Sequence, residues 1–279
     1  NLRTLNRYDY HINYFYLISS FLVFLLATVF LHANWYFITR SLDCNLGIIK
    51  SLTVRIKSEL GKYIPGRILG YGYLIVYYKG ENKDQLRVLS SSIYELYLST
   101  FSSFLFFTII HIFISFKSLD AFKVIFIIIS LIGILALHPI FFQKISDLLC
   151  RLLKRARITY SISFAQSLGL LVLYLVYWLL FSFAFFLFVK SFTDAHASDI
   201  FYLSGSFAIS ALAGFLAFFI PAGLGAREGA LVYLLSSLTG NTIAIIISVS
   251  SRIWIIIGDL VLFICALIIG FSYKREDSK

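Results

Sequence analysis

Apolar residues in this chain fall in long unbroken runs, without the every-second or every-third-residue patterning of a soluble fold. Five segments are apolar on nearly all faces: Tyr14 to Leu31, Glu95 to Phe116, Ala121 to Phe142, Phe164 to Val189 and Ile243 to Phe271. A hydrocarbon core about 30 Å thick is crossed by roughly 20 helical residues, so each predicts a membrane-spanning helix. Two further segments are apolar but interrupted. Leu46 to Tyr78 carries Lys50, Arg55, Lys57, Glu59 and Lys62 and turns apolar around Pro65 and Gly66; Ile200 to Leu238 is broken by Pro221, Gly223 and Gly225. Each predicts a broken or re-entrant helical hairpin. Lys144 to Arg155 differs again. It sets Ile145, Leu148, Leu149, Leu152 and Leu153 at i, i+3, i+4, i+7 and i+8, with Arg151, Lys154 and Arg155 among the polar positions, the pattern of an amphipathic helix lying on a bilayer surface.

Composition agrees with this pattern. Of 279 residues, 59% are apolar and 14% charged, and the mean hydropathy is +0.87; soluble chains are about one quarter charged. The reading is an all-α polytopic membrane protein, and a soluble enzyme or a nucleic-acid binder is excluded as the primary one. The formal charge of +10 is assigned to basic cytoplasmic loops rather than to a polyanionic partner. Cys44, Cys150 and Cys265 are too far apart for a C-x-x-C pair, and the five histidines lack ligand spacing. Neither a metal nor a cofactor is expected.

The basic residues also orient the chain. Asn34 to Tyr94 carries nine basic and four acidic residues, Gln143 to Ile158 five and one, and the tail from Ser272 three and two; Asn1 to Tyr10, Lys117 to Lys123 and Lys190 to Asp199 together carry five and four. The first group is assigned to the cytoplasm, placing the C-terminus inside, residue 1 outside and the protein in the cytoplasmic (inner) membrane. A further span upstream of Asn1 is then expected. Under this assignment the first hairpin enters from the cytoplasm and the second from outside. The chain reads as one transmembrane domain, 1–279, with a first half (11–116), a connector span and amphipathic helix (121–157) and a second half (164–271). The halves are of inverted topology, a plan used by secondary transporters with a midplane substrate site.

The breaks read Gly61-Lys62-Tyr63-Ile64-Pro65-Gly66-Arg67 and Phe219-Ile220-Pro221-Ala222-Gly223-Leu224-Gly225-Ala226-Arg227-Glu228. Proline removes a backbone donor and glycine admits conformations closed to other residues, so helices can stop there inside the membrane. A helix restarting after the break turns its amides toward the cavity, which suits an anion such as phosphate. Arg67 and Arg227 stand beside that position. In the last span Arg252 and Asp259 lie two turns apart and share a face; intramembrane charges usually face the interior in pairs, and Glu228 is the expected partner of Arg252. Two compatible roles stay open for Arg252: a structural salt bridge and phosphate binding. The candidate substrate-binding set is therefore Lys62, Pro65, Gly66, Arg67, Pro221, Gly223, Gly225, Arg227, Glu228, Arg252 and Asp259. His138-Pro139 is read as a kink.

No P-loop, Gly-x-Ser-x-Gly elbow or pair of neighbouring acids on a polar loop is present, so a transporter is favoured over an enzyme and no catalytic residue is assigned. At the two breaks and at Arg252 the chain resembles the lysylphosphatidylglycerol synthase transmembrane-region family, flippase-like proteins that also form the membrane half of multiple peptide resistance factors. It departs at Ala222, where glycine is common, and in lacking the usual upstream span. The resemblance implies translocation of an anionic or phosphate-linked lipid, such as an aminoacyl-phospholipid or a polyprenyl-phosphate sugar. The alternatives are a membrane-embedded transferase acting on a polyprenyl-linked sugar, with Glu228 or Asp259 as base, and a non-catalytic membrane subunit of a surface-polysaccharide pathway. Pathway enzymes or a second copy of the chain are the protein partners these readings allow.

Overall fold

The computed structural model describes residues 12–64, 68–117, 119–152, 154–155, 158–160, 162–217 and 219–276. Among the described residues the fold is entirely helical. The helices are α1 (Tyr14–Ser41), α2 (Ile48–Glu59), α3 (Ile68–Gly80), α4 (Gln85–Phe113), α5 (Lys123–Ala136), α6 (Pro139–Leu152), α7 (Phe164–Lys190), α8 (Ile200–Leu216), α9 (Ala226–Thr239) and α10 (Asn241–Glu276). The long helices begin where a side chain can take the first free amides. Asn13 Oδ1 accepts from Phe15 N, Asp84 Oδ1 from Leu86 N and Arg87 N, and Ser163 Oγ from Gln166 N, whose side chain answers Ser163 N.

The frame is an antiparallel pair, α1 against α7. Asn13 N donates to Ser191 O at 3.0 Å, joining the start of α1 to the end of α7. Further along, Phe24 meets Phe181 edge to face, and Trp35, Ile38 and Leu42 share a core with Leu170, Leu171 and Tyr174. The directions of this pair decide how the hairpins enter. α2 and α3 follow the end of α1, whereas α8 and α9 follow the end of α7, so the two hairpins penetrate from opposite ends of the bundle. Their tips touch: the 3₁₀ turn Leu60–Tyr63 packs on the 3₁₀ turn Pro221–Gly223. The inverted arrangement expected from the sequence is thus present in the chain trace.

Among the described residues, five segments are long and apolar enough to cross a membrane: α1, α4, α7, Ala197–Leu216 and Asn241–Gly270. Four of them match predicted spans. The fifth is the first arm of the second hairpin, while the other hairpin arms have 12, 13 and 14 residues, too short to cross alone at 1.5 Å each. The predicted span Ala121 to Phe142 is bent where the kink was read: α5 has 14 residues and is followed, at His138-Pro139, by α6 at 73° to the preceding segment, the two together being long and apolar enough for a broken span or a re-entrant loop. The bend has a local cause, because Pro139 has no amide to continue the α5 ladder.

The amphipathic helix starts earlier than predicted, at Pro139 rather than Lys144. Its Ile145, Leu148 and Leu152 are exposed, and Phe142, Ser146 and Cys150 are buried. Ser146 Oγ donates to Tyr160 Oη, which in turn donates to Ser90 Oγ at 2.8 Å, tying this helix to the start of α4. The ends of α1, α3 and α6 and the start of α4 therefore lie at one end of the bundle, together with Arg40, Lys79, Lys83, Arg87 and Arg151.

Candidate functional site

Each hairpin is closed at its tip by glycine against glycine. A Cβ on Gly61 would lie 2.2 Å from Gly70 N, and one on Gly70 would lie 2.6 Å from Ser58 O, so the arms of the first hairpin cross with no room for a side chain. In the second hairpin Gly223, at φ +66°, would meet Gly214 Cα at 2.5 Å. The turn there uses the left-handed region at Ala222 (φ +49°), Gly223 and Gly225 (φ +85°), which explains the glycines around Pro221.

α10 runs past both tips and offers each an opposite charge. Asp259, 5% exposed, accepts from Lys62 Nζ and from Tyr63 Oη on the same Oδ2, each at 2.6 Å. Seven residues earlier, Arg252 Nη1 donates to Glu228 Oε1 at 3.1 Å and to Ala222 O at 3.0 Å. Both residues lie in the middle third of the apolar segment Asn241–Gly270. From Lys62 the ionic chain continues inward: Lys62 pairs with Glu59 at 3.0 Å, Glu59 with Arg55 at 2.7 Å, and Arg55 Nε with Glu95 Oε1 of α4 at 2.7 Å. These charges persist at depth because each has an opposite partner in a low-dielectric setting.

These groups border a cavity of about 170 Å³ between the hairpin tips and α1, α4, α7 and α10. Arg227 enters it from the first turn of α9. Its guanidinium stacks 4.5 Å from the centroid of Phe207, and its stem lies along Gly214, where a Cβ would stand 3.1 Å from Arg227 Cβ. Arg227 has no carboxylate within salt-bridge distance among the described residues, and its buried Nη2 has no hydrogen-bond partner there.

Of the predicted set, Lys62, Arg227, Arg252 and Asp259 line the cavity. Pro221, Gly223 and Gly225 build the turn that carries Arg227 and Glu228. Pro65, Gly66 and Arg67 lie outside the described residues. Glu228 is the partner of Arg252, as expected. One detail of the sequence reading is corrected: the Gly225 amide at the α9 start is not turned to an open cavity, because it donates to Glu228 Oε2 at 2.7 Å. Sequence reasoning missed Arg55, Glu59, Tyr63 and Glu95 as parts of the site. A usable signal existed for Glu95, a lone acid at the head of an apolar run. Among the described residues no group of three or more metal-ligating side chains occurs. No family model, curated protein or solved structure matches this chain.

Proposed function

We propose that the protein translocates a lipid with an anionic, phosphate-bearing head group, and that the head group occupies the cavity between the hairpin tips. The observation that carries this reading is Arg227: a guanidinium set against a mid-bundle cavity, with a buried N–H left unbonded and no paired carboxylate among the described residues. Leaving a buried cation unpaired is costly, and a phosphate oxygen removes that cost through charge-assisted hydrogen bonds. Arg252 reinforces the field from the next wall, its charge shared with Glu228. The site is bracketed by hairpins entering from opposite ends, so rocking one half against the other opens it to alternate sides, while acyl or prenyl chains stay in hydrocarbon. The resemblance to the flippase-like family supports the same substrate class, and the basic residues gathered at one end of the bundle support a cytoplasmic assignment for that end in an inner membrane.

The transferase reading is less well supported. Asp259 and Glu228, its candidate bases, are both engaged in ion pairs and further hydrogen bonds. The test is head-group accessibility in proteoliposomes, run with a labelled anionic phospholipid and a polyprenyl phosphate in parallel. Exchange of either lipid that is accelerated by wild type and abolished in a folded Arg227→Ala variant supports the proposal. Equal exchange with Arg227→Ala, or none with folded wild type, rejects it.

A further inference from the structure

The cavity has a second polar pole. His32 of α1 and Tyr174 of α7 line it and are 2% and 1% exposed, yet His32 Nδ1 and the Tyr174 hydroxyl have no hydrogen-bond partner among the described residues. The antiparallel register brings them to one level. Phe24 and Phe181 meet with ring centroids 5.9 Å apart, and two turns further, in opposite directions along the two helices, stand Leu31–His32 and Tyr174. Arg227 belongs to the Phe181 level, because it stacks on Phe207, which lies 4.5 Å from Phe181. Seven residues of helix separate the levels, about 10 Å along the bundle axis. Tyr177, one turn from Tyr174, lines the wall between them.

Buried polar atoms are almost always bonded, to protein, water or ligand. Here the unbonded atoms belong to side chains of α1 and α7 that line the same cavity as Arg227, one level away from its guanidinium, and about 10 Å is farther than one phosphate reaches. Their chemistry also differs from that of the arginine pole. A tyrosine hydroxyl both donates and accepts, and a neutral imidazole nitrogen does one or the other, so the pair suits hydroxyl groups rather than a second charge. Building on the anion-binding reading above, we propose that the head group carries hydroxyls beyond its phosphate, a glycerol or a sugar, and that His32 and Tyr174 bind these while Arg227 and Arg252 hold the phosphate.

The test is equilibrium binding to purified full-length protein of three lipids: a short-chain phosphatidic acid, the matching phosphatidylglycerol and a short-chain polyprenyl-phosphate hexose. Two additional hydrogen bonds predict at least about fivefold, and roughly tenfold, tighter binding of a hydroxylated lipid than of phosphatidic acid. Tyr174→Phe and His32→Phe are expected to reduce that preference to about threefold or less, with the affinity for phosphatidic acid unchanged. Which hydroxylated lipid shows the preference identifies the source of the hydroxyls. Equal binding of all three by wild type, or an undiminished preference in both variants, overturns this proposal and leaves the anion reading standing. Failure of wild type to bind any of the three overturns both.

Discussion

Lys62 Nζ stands 2.6 Å from Asp259 Oδ2, joining the tip of the first hairpin to the middle of the last helix. Arg252 makes the matching connection to the second hairpin through Glu228 and the Ala222 carbonyl. α10 therefore presents an acid to one half of the molecule and a base to the other. A rearrangement of either hairpin relative to α10 has to break one of these links.

Removing one member of a buried pair costs up to about 3 to 5 kcal/mol, and less where a second partner remains, as Glu59 does for Lys62, whereas replacing both with apolar residues is often close to neutral. Asp259→Ala is expected to lower the thermal midpoint in detergent markedly. The double variant Lys62→Met with Asp259→Leu is expected to recover most of the loss. A double variant no more stable than Asp259→Ala would show that the pair is not what holds the tip.

Gly61→Ala places a methyl carbon 2.2 Å from the Gly70 amide nitrogen, a contact relieved only by separating the arms of the hairpin. The expected result is loss of the folded monodisperse species in size-exclusion chromatography. Gly72→Ala is the control. Nothing lies within 4 Å of a Cβ there, and within a helix alanine is about 0.5 to 1 kcal/mol better than glycine, so its midpoint is expected to hold or rise.

Gly214→Ala tests the packing of Arg227 without touching its charge. The added methyl, 3.1 Å from Arg227 Cβ and within 4 Å of its Cγ and Cδ, pushes on the stem and shifts the guanidinium off Phe207. A fold largely retained by circular dichroism, with lipid exchange reduced at least tenfold, is expected. Wild-type exchange would mean that the position of Arg227 is not critical.

Glu228→Gln keeps an oxygen for the Gly225 amide but removes the countercharge of Arg252. Arg227 and Arg252 then both line the cavity without a carboxylate of their own, and binding of a short-chain phosphatidic acid is expected to tighten about tenfold, in line with a gain of about 1.4 kcal/mol. Because a tighter ground state raises the barrier to release, exchange in proteoliposomes is expected to slow. Unchanged affinity would place Glu228 and Arg252 outside the anion site.

Part of this architecture was legible without coordinates. Four of the long helices and both breaks follow from residues close in sequence or from apolar runs whose length a bilayer dictates, and the pairing of Arg252 with Glu228 from the scarcity of charges inside those runs. The bend at His138-Pro139 was legible too, although its size, 73° between the flanking segments, was not. Proline's missing amide is a local property; where a helix stops relative to a membrane is not.

The site was decided by tertiary structure. Lys62 meets Asp259, Arg55 meets Glu95, and His32 reaches the level of Tyr174 only because α1 and α7 run antiparallel and the hairpins enter between them. The physical reason is that a helix in lipid is apolar all round: with hydrocarbon outside and apolar side chains inside, hydrophobicity no longer marks which face is buried. Sequence alone therefore determined that the chain enters the membrane, where it breaks and which charges it carries there. Packing alone determined which of those charges are spent on one another and that Arg227, His32 and Tyr174, at a cavity, keep polar atoms without a partner among the described residues.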